Sequence, residues 1–589
     1  MYLEKITCVE DVKKLRRDEL PMLADETRQA LIYKLSRTGG HVASNLGVVE
    51  LTVALHYVFD SPKDKIVWDV SHQCYAHKIL TGRKSAYLEE EHFGDVTGFS
   101  NPDESEHDLF SIGHTSTSVS LALGLARGRD IFNGKENVIA IIGDGALSGG
   151  EAYEGLNFAG EYGKNLIIVL NDNEQSVAEN HGGLFTKLKE LRDTEGIAAD
   201  NPFRALKLDY RYCSDGHDVL RLVEMFESAK GVDHPIVLHV HTVKGKGLPY
   251  AEENREDWHS SGPFHISDGS YVKGNPVYDT TVHDSLVRML TENEKSVVLT
   301  AGTPRALGFV GEERKSWART GRFVDVGIAE ENAMAMSSGL ARYGGTVVFG
   351  AYAPFLQRTY DQLSHDLCLN NNPAVILVLM PGAYGMKSRT HLGLCDIQMF
   401  SHVPNLIYLS PSCREEYLQM FDYAVSQKAH PVAIRVPNRF YDSGVKDTTD
   451  YSAVNKAKVE RYGSKTALVA VGTLIPKALE IADEYEKQTG QNITVINPRF
   501  LTGIDEPLLS SLHKDHDLVI TLEDGELDGG YGQRIAAFYG DSDMKVKCFG
   551  ISKAFHSDFN ADKLLAQCGI SAENIIAYIL SAESRSHRE

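Results

Sequence analysis

A chain of 589 residues is too long for one hydrophobic core and, at roughly 150 residues per domain, asks for three or four units. Its 60 Lys plus Arg against 81 Asp plus Glu leave a formal charge of −21, which excludes a general attraction to nucleic acid or anionic lipid, so any phosphate must be gripped locally. The 8 cysteines form no CxxC pair, which speaks against a zinc site or a disulfide framework and fits reduced thiols buried mostly as small apolar residues.

Taken in chain order, residues 1–20 alternate charged and apolar positions in the manner of a surface helix and carry no signal-peptide core. No later run is expected to span a bilayer, so the expected setting is soluble and cytoplasmic, with neither nucleic acid nor membrane as a partner. Between Asn137 and Asn173 the pattern is strand NVIAIIG, helix GGEAYEGLNFAGEY and strand NLIIVLN, a βαβ unit whose near-continuous apolar strands suit a buried parallel sheet. A second α/β region runs from SVVLTAG at Ser296 to PVAIRVP, and a third starts at KTALVAVGT and repeats the alternation in shorter form. Two polar joins, rich in Ser, Asp, Gly and Asn, separate these regions and place the boundaries near residues 275 and 450.

The stretch IAIIGDGALSGG runs a buried strand into a glycine-flanked aspartate, the place where open α/β sheets bind ligands. Gly143 and Gly145 let the backbone approach a crowded anion, but Asp144 has the wrong sign to touch a phosphate, so a hard cation such as Mg2+ has to lie between them. Asn173 follows 29 positions later at the end of the neighbouring strand. Asp144, Asn173 and a nearby carbonyl, with Gln175 the candidate, leave coordination positions open for a diphosphate. A lone GDG reads as a tight turn with a capping aspartate; paired with NDN at this spacing it resembles the thiamine diphosphate signature.

The resemblance is wider. The stretches GGHVASNLGVVELTVALHYVFD, IVWDVSHQCYAHKILTGR, LFSIGHTSTSVSLALGLA, GDGALSGGEAYEGLNFAG, NDNE, DGHDV, TVKGKG, VGIAEENAMAMSSGLA, FLQRTYDQLSHD and THLG together resemble the 1-deoxy-D-xylulose 5-phosphate synthase family, within the transketolase-like enzymes. The resemblance implies an α/β chain of three parallel-sheet domains of transketolase type: a diphosphate-binding domain (residues 1–275), a pyrimidine-binding domain (276–450) and a transketolase C-terminal domain (451–589), assembled as a homodimer. It implies thiamine diphosphate and Mg2+ as cofactors, with pyruvate and an aldehyde as substrates. The role of protonating the aminopyrimidine ring falls on Glu330, in IAEEN; its alternative is a cap on the helix that follows, through the dipole. Of the 23 histidines, the resemblance singles out six: His41, His72, His77, His114, His259 and His391. By similarity His72 and the run Gly113, His114, Thr115 and Ser116 line the diphosphate and thiazolium, with Gly145 and Ala146 beside them, while His41, His259 and His391 face the reacting carbon as proton carriers. Phe355 walls the aminopyrimidine side, and Tyr352 and Arg358 are substrate candidates, Arg358 for a carboxylate or phosphate.

The chain departs from the family pattern where an acceptor's phosphate is gripped. Pro381 stands where an arginine is expected, RVPNRF keeps Arg435 but has Asn438 for the second arginine unless Arg439 shifts in, and SNPDESEHD lacks a basic residue. Lys387, Arg389 and Arg439 are the candidates to compensate. Leu248 replaces a tyrosine, and the loop after NDNE is abbreviated. The expected activity is decarboxylation of pyruvate and addition of the two-carbon unit to an aldehyde, by default glyceraldehyde 3-phosphate. The alternatives are another, non-phosphorylated acceptor, a transketolase-type ketol transfer, and a catalytically silent cofactor-binding scaffold.

Overall fold

The computed structural model describes residues 1–274, 279–557 and 559–586, with side chains to residue 584. The chain divides into two compact units, Met1–Val277 with Val326–Ala329, and Tyr278–Asp325 with Glu330–Glu589. The expected boundary at 275 falls at the edge of residues outside those described. The expected boundary at 450 lies in a stretch, 437–457, without helix or strand, inside the second unit.

The first unit is built on strands β1 (Lys65–Trp68), β2 (Val138–Gly143), β3 (Leu166–Asp172), β4 (Asp209–Cys213) and β5 (Pro235–His241), all parallel in the order β1-β2-β3-β5-β4. Alternate residues of β2 and β3 serve different cores. Ile139, Ile141, Ile167 and Val169 pack into one apolar cluster, and Ala140, Ile142, Ile168 and Leu170 into the other. Both faces are therefore covered, as an all-parallel sheet requires, and its polar chemistry is confined to strand ends. The crossover helix Gly150–Tyr162 buries Ala152, Leu156 and Ala159 and lies so close to its neighbour that a Cβ at Gly160 would fall 1.9 Å from the Leu206 carbonyl oxygen.

The second unit carries two sheets. Strands β6 (Ser296–Thr300), β7 (Phe323–Asp325), β8 (Thr346–Tyr352), β9 (Val375–Leu379), β10 (Ile407–Leu409) and β11 (Val432–Val436) form an all-parallel sheet in the order β10-β11-β9-β8-β6-β7. Strands β12 (Lys458–Arg461), β13 (Lys465–Ala470), β14 (Thr494–Asn497), β15 (His516–Glu526) and β16 (Lys545–Ile551) form the other, in the order β12-β14-β13-β15-β16. This last sheet corrects the expectation of parallel strands throughout, because β12 runs antiparallel to β14. The residues of β12, KVER, are polar and partly exposed, which suits an edge strand and not a strand covered on both faces.

Two further expectations change. Residues 1–20 do not form one surface helix: a 3-10 turn at Leu3–Lys5, a short helix Val9–Lys13 and a 3-10 turn at Arg17–Glu19 precede the long helix Leu20–Thr38. The buried side chains Leu3, Ile6, Val9 and Val12 point these short elements inward. The stretch Ala561–Ser584 does reach spanning length, 24 residues containing an 18-residue window of mean hydropathy 1.3. It is broken into helices Ala561–Gln567 and Ala572–Ser586, and Leu564, Leu565, Ile575 and Ile579 sink into the core of the last sheet. Of the free cysteines, Cys74, Cys213, Cys368 and Cys413 are buried, three others are half-buried and Cys395 is exposed.

One buried ion network ties the two sheets of the second unit together. Arg435 of β11 donates to Asp396, at the start of the helix Asp396–Ser401, through Nε at 2.8 Å and Nη2 at 3.2 Å, and to Asp524 of β15 through Nη1 at 2.5 Å. The backbone passes so close that a Cβ at Gly382, whose φ is +71°, would meet the Asp524 carboxylate at 2.3 Å. Removing the arginine strands two desolvated carboxylates. Arg435→Met is therefore expected to destabilise the second unit by about 3–5 kcal/mol in denaturant unfolding. An unchanged unfolding midpoint, with only a raised Michaelis constant, would instead make Arg435 a substrate residue.

Candidate active site

The polar residues of the first unit collect beyond the carboxyl ends of β1, β2, β3 and β5. After β2, Asp144 is 1% exposed, its backbone N–H donates to the Asn171 carbonyl (3.1 Å), and its Oδ2 accepts from Asn180 Nδ2 at 2.7 Å. Burial pushes its carboxyl well above the usual range, and the charge of Asp172 adds to this. After β3, Asn173 is nearly buried, and its Oδ1 accepts from the Gln175 N–H at 3.2 Å. Gly145 passes Ser176 so closely that a Cβ would lie 2.7 Å from that of the serine.

The run from Gly113 to Ser116 is fixed from β1. Asp69, fully buried, accepts from the backbone N–H groups of Ser116 (2.7 Å) and Ser118 (3.0 Å), while Ser116 Oγ donates to the Ala146 carbonyl at 2.7 Å. His114 and Thr115 are half-buried within this run. His41, His72 and His259 form a triangle of rings with centroids 5.1, 5.1 and 5.7 Å apart. Asn45 binds two of their segments together by donating to the carbonyls of His41 (2.7 Å) and His72 (2.8 Å). Lys244, beyond β5, joins this triangle to the turn after β3: Nζ donates to the Ser176 carbonyl at 2.5 Å and lies 3.2 Å from His259 Nδ1. Burial lowers Lys244 to about 7, burial and then Lys244 lower His41 to about 4, and the same causes hold His259 well below the ordinary histidine value.

His77 stands apart from that triangle. It is fully buried, with Nε2 2.9 Å from Asp108 and Nδ1 2.9 Å from His56, in an interior network that Arg83 completes. Asn180, Lys244, Asp69 and Asn45 were not singled out in the sequence, although TVKGKG contained Lys244 and SNLG contained Asn45; nothing in one sequence marks a buried hydrogen-bond partner.

The donor set fits a hard divalent cation. Asp144, the Asn173 amide and a backbone carbonyl offer oxygen ligands of the kind Mg2+ takes, and Asn180 Oδ1 and Ser176 Oγ are buried beside them without a hydrogen-bond partner.

In the second unit the equivalent residues again follow strand ends. Glu330 opens the helix Glu330–Arg342, is 4% exposed, and its Oε2 accepts no hydrogen bond, the Arg358 guanidinium lying 4.0 Å away. Burial, only partly offset by Arg358, pushes its carboxyl up to about 7. Tyr352 ends β8, and the turn after it carries Phe355, whose ring lies 5.9 Å from Tyr352 and 5.5 Å from His391. His391 Nδ1 is 2.9 Å from Thr390 Oγ1. Lys387, Arg389 and Arg439 are exposed, whereas Arg435 is buried between its two aspartates.

A family model described as 1-deoxy-D-xylulose-5-phosphate synthase matches residues 3–202, the transketolase pyrimidine binding domain matches 276–442 and the transketolase C-terminal domain matches 455–575. A 1-deoxy-D-xylulose-5-phosphate synthase 1 of Geobacter sulfurreducens is 38% identical over 98% of this chain and 96% of its own length. The 1-deoxy-D-xylulose-5-phosphate synthase of Alkaliphilus oremlandii is 36% identical over 98% of each. Among solved structures, transketolase from Campylobacter jejuni aligns with a TM-score of 0.43 at 16% identity, over 96% of this chain and all of that one. Transketolase from Leishmania mexicana gives 0.44 at 14%, over 96% and 97%. On the family matches and the near-complete alignment with its relatives, the chain belongs to the 1-deoxy-D-xylulose-5-phosphate synthase family of transketolase-type transferases.

Proposed function

We propose that this protein is a thiamine diphosphate-dependent carboligase that decarboxylates pyruvate and joins the two-carbon unit to glyceraldehyde 3-phosphate, giving 1-deoxy-D-xylulose 5-phosphate and CO2. The reading includes Mg2+ as the metal, a three-domain division near residues 275 and 450, a cytoplasmic homodimer and a place in isoprenoid biosynthesis. The observation that carries it is Glu330, a buried carboxyl with an unbonded oxygen and a proton affinity raised to neutrality. Thiamine diphosphate, when bound, supplies the carbanion chemistry that a 2-oxo acid needs to lose CO2. Asp144, Asn173 and the Gln175 carbonyl hold the cation, and the backbone of Gly113–Ser116, Gly145 and Ala146, with His72 and Lys244, receives the diphosphate. Glu330 keeps a proton at Oε2 for the aminopyrimidine ring, with Phe355 as its wall. His41 and His259, held neutral by burial, and His391 orient the reacting oxygen and take or return its proton. Tyr352 and Arg358 contact the substrate. Tyr153 and Phe158, both exposed on the helix Gly150–Tyr162, supply apolar surface for a subunit contact.

A different acceptor is the second reading, favoured by the engagement of Arg435 with Asp396 and Asp524 and by Pro381 and Asn438 at expected arginine positions. The rate ratio of glyceraldehyde 3-phosphate to glyceraldehyde separates the two. If Arg389 and Arg439 have assumed the phosphate-binding role, Arg389→Ala or Arg439→Ala raises the Michaelis constant for the phosphorylated aldehyde by about tenfold or more and leaves that for glyceraldehyde unchanged. Comparable use of both aldehydes, insensitive to either substitution, supports the non-phosphorylated acceptor.

Asp144→Ala is expected to abolish Mg2+-dependent binding of thiamine diphosphate in calorimetry, since one of two side-chain ligands is gone. Unchanged affinity would remove Asp144 from the metal site.

Glu330→Gln is expected to bind the cofactor yet lose roughly 10²–10⁴ in turnover, because an amide hydrogen-bonds without supplying a proton. It also carries a stability signature in the cofactor-free protein. A glutamate titrating near 7 when folded, against 4.5 otherwise, binds its proton more tightly in the folded state. Wild-type stability therefore falls as pH rises from 4.5 to 7, by on the order of 3 kcal/mol, and the variant does not share that fall. Melting curves should show Glu330→Gln more stable than wild type at pH 8, with the gap closing towards pH 4.5. Parallel curves at every pH, with wild-type turnover, would leave Glu330 as a helix cap.

A further inference from the structure

The metal-site turn is held from a direction that the chemistry above does not use. Asn173 stands between two acidic residues, Asp172 and Glu174, and a single guanidinium touches both. Arg192 Nη1 lies 2.5 Å from Asp172 Oδ2 and Nη2 lies 3.3 Å from Glu174. The arginine is 11% exposed and comes from the last turn of the helix Gly183–Asp193, in the abbreviated segment after NDNE. That helix is anchored by Leu188 and Leu191, buried in the core beneath β3.

The other contacts of the two acids point the same way. Asp172, fully buried, also accepts from the Glu174 N–H (3.1 Å) and lies 2.8 Å from His239 Nε2, and His239 Nδ1 lies 2.7 Å from the Tyr210 hydroxyl. Glu174 is bound on its far side by His241 Nε2 at 3.0 Å. Its φ of +65° puts a non-glycine residue in the left-handed region, a conformation that persists where surrounding contacts enforce it. The Asn173 carbonyl, meanwhile, accepts from Arg255 Nη1 at 3.2 Å, so a second arginine holds the same turn.

We propose that Arg192 is a positioning residue for the divalent-cation site: by bridging Asp172 and Glu174 it holds the turn from Asn173 to Gln175 in the conformation that presents oxygen ligands to the metal. The inference rests on the cofactor reading above. Residues that orient metal ligands from behind set affinity without touching the ion, and their loss typically weakens metal binding by about 10- to 100-fold.

The test uses the full-length protein saturated with thiamine diphosphate and titrated with Mg2+ in a calorimeter, with melting temperature measured in the absence of both. Arg192→Lys keeps a cation beside buried Asp172 but has no fork to span both acids. Glu174→Gln removes the outer half of the bridge and leaves Asp172 paired. Both are expected to weaken Mg2+ binding about tenfold, to keep turnover at saturating Mg2+, and to be no worse when combined, since they break one bridge. Should Arg192→Lys fail to fold, Glu174→Gln decides alone. Wild-type Mg2+ affinity in the variants, with or without a lowered melting temperature, makes the bridge purely structural and overturns the proposal. Absence of Mg2+-dependent cofactor binding in the wild type refutes the cofactor reading instead.

Discussion

Two carboxylates buried on adjacent parallel strands are the constraint on which the first unit depends. Asp144 and Asp172 follow and end β2 and β3, inside a sheet whose faces are both covered, and two desolvated negative charges so placed cannot both persist without cations. The chain neutralises one of them itself. Burial raises Asp172, but His239 and Arg192 outweigh it and bring its carboxyl below the usual range. Asp144 is bound by the Asn180 amide and the Gly145 backbone and faces Lys244, yet burial and the charge of Asp172 outweigh these and keep it raised. The close approach of Gly145 to Ser176 and the anchoring of Ser116 and Ser118 by Asp69 fix the backbone near Asp144.

Positive charge is handled with equal restraint. Lys244 sits against the histidine triangle, and burial brings it to about 7 while burial and the lysine charge lower His41 and His259. The same physics in the second unit, with the sign reversed, raises the Glu330 carboxyl to about 7 even with Arg358 at 4.0 Å.

Arg435 shows how residue type misleads when its surroundings are hidden. An arginine at the end of an apolar strand is suited to gripping phosphate, yet here its fork is closed by Asp396 and Asp524, and Tyr408 donates to Asp396 from behind. Its contribution is to join two sheets, a role that depends on β15, nearly ninety residues further along the chain.

The sequence by itself determined the parallel α/β character and the GDG and NDN pair, because apolar period and motif spacing are local along the chain, while the run around Glu330 was legible only through the family resemblance. Local pattern also misjudged edges: the polar strand β12 runs antiparallel, and the first twenty residues break into short turns. Only the tertiary structure decided which charges are cancelled. Asp172 and Asp144 are equally acidic in sequence, and what separates them is Arg192 and His239, brought up by a later helix and a later strand. His41, His72 and His259 converge from three distant segments, while His77, in the same motif as His72, turns into an interior network with Asp108. Burial and pairing are properties of three-dimensional neighbourhood, and a proton affinity follows from them and not from residue type.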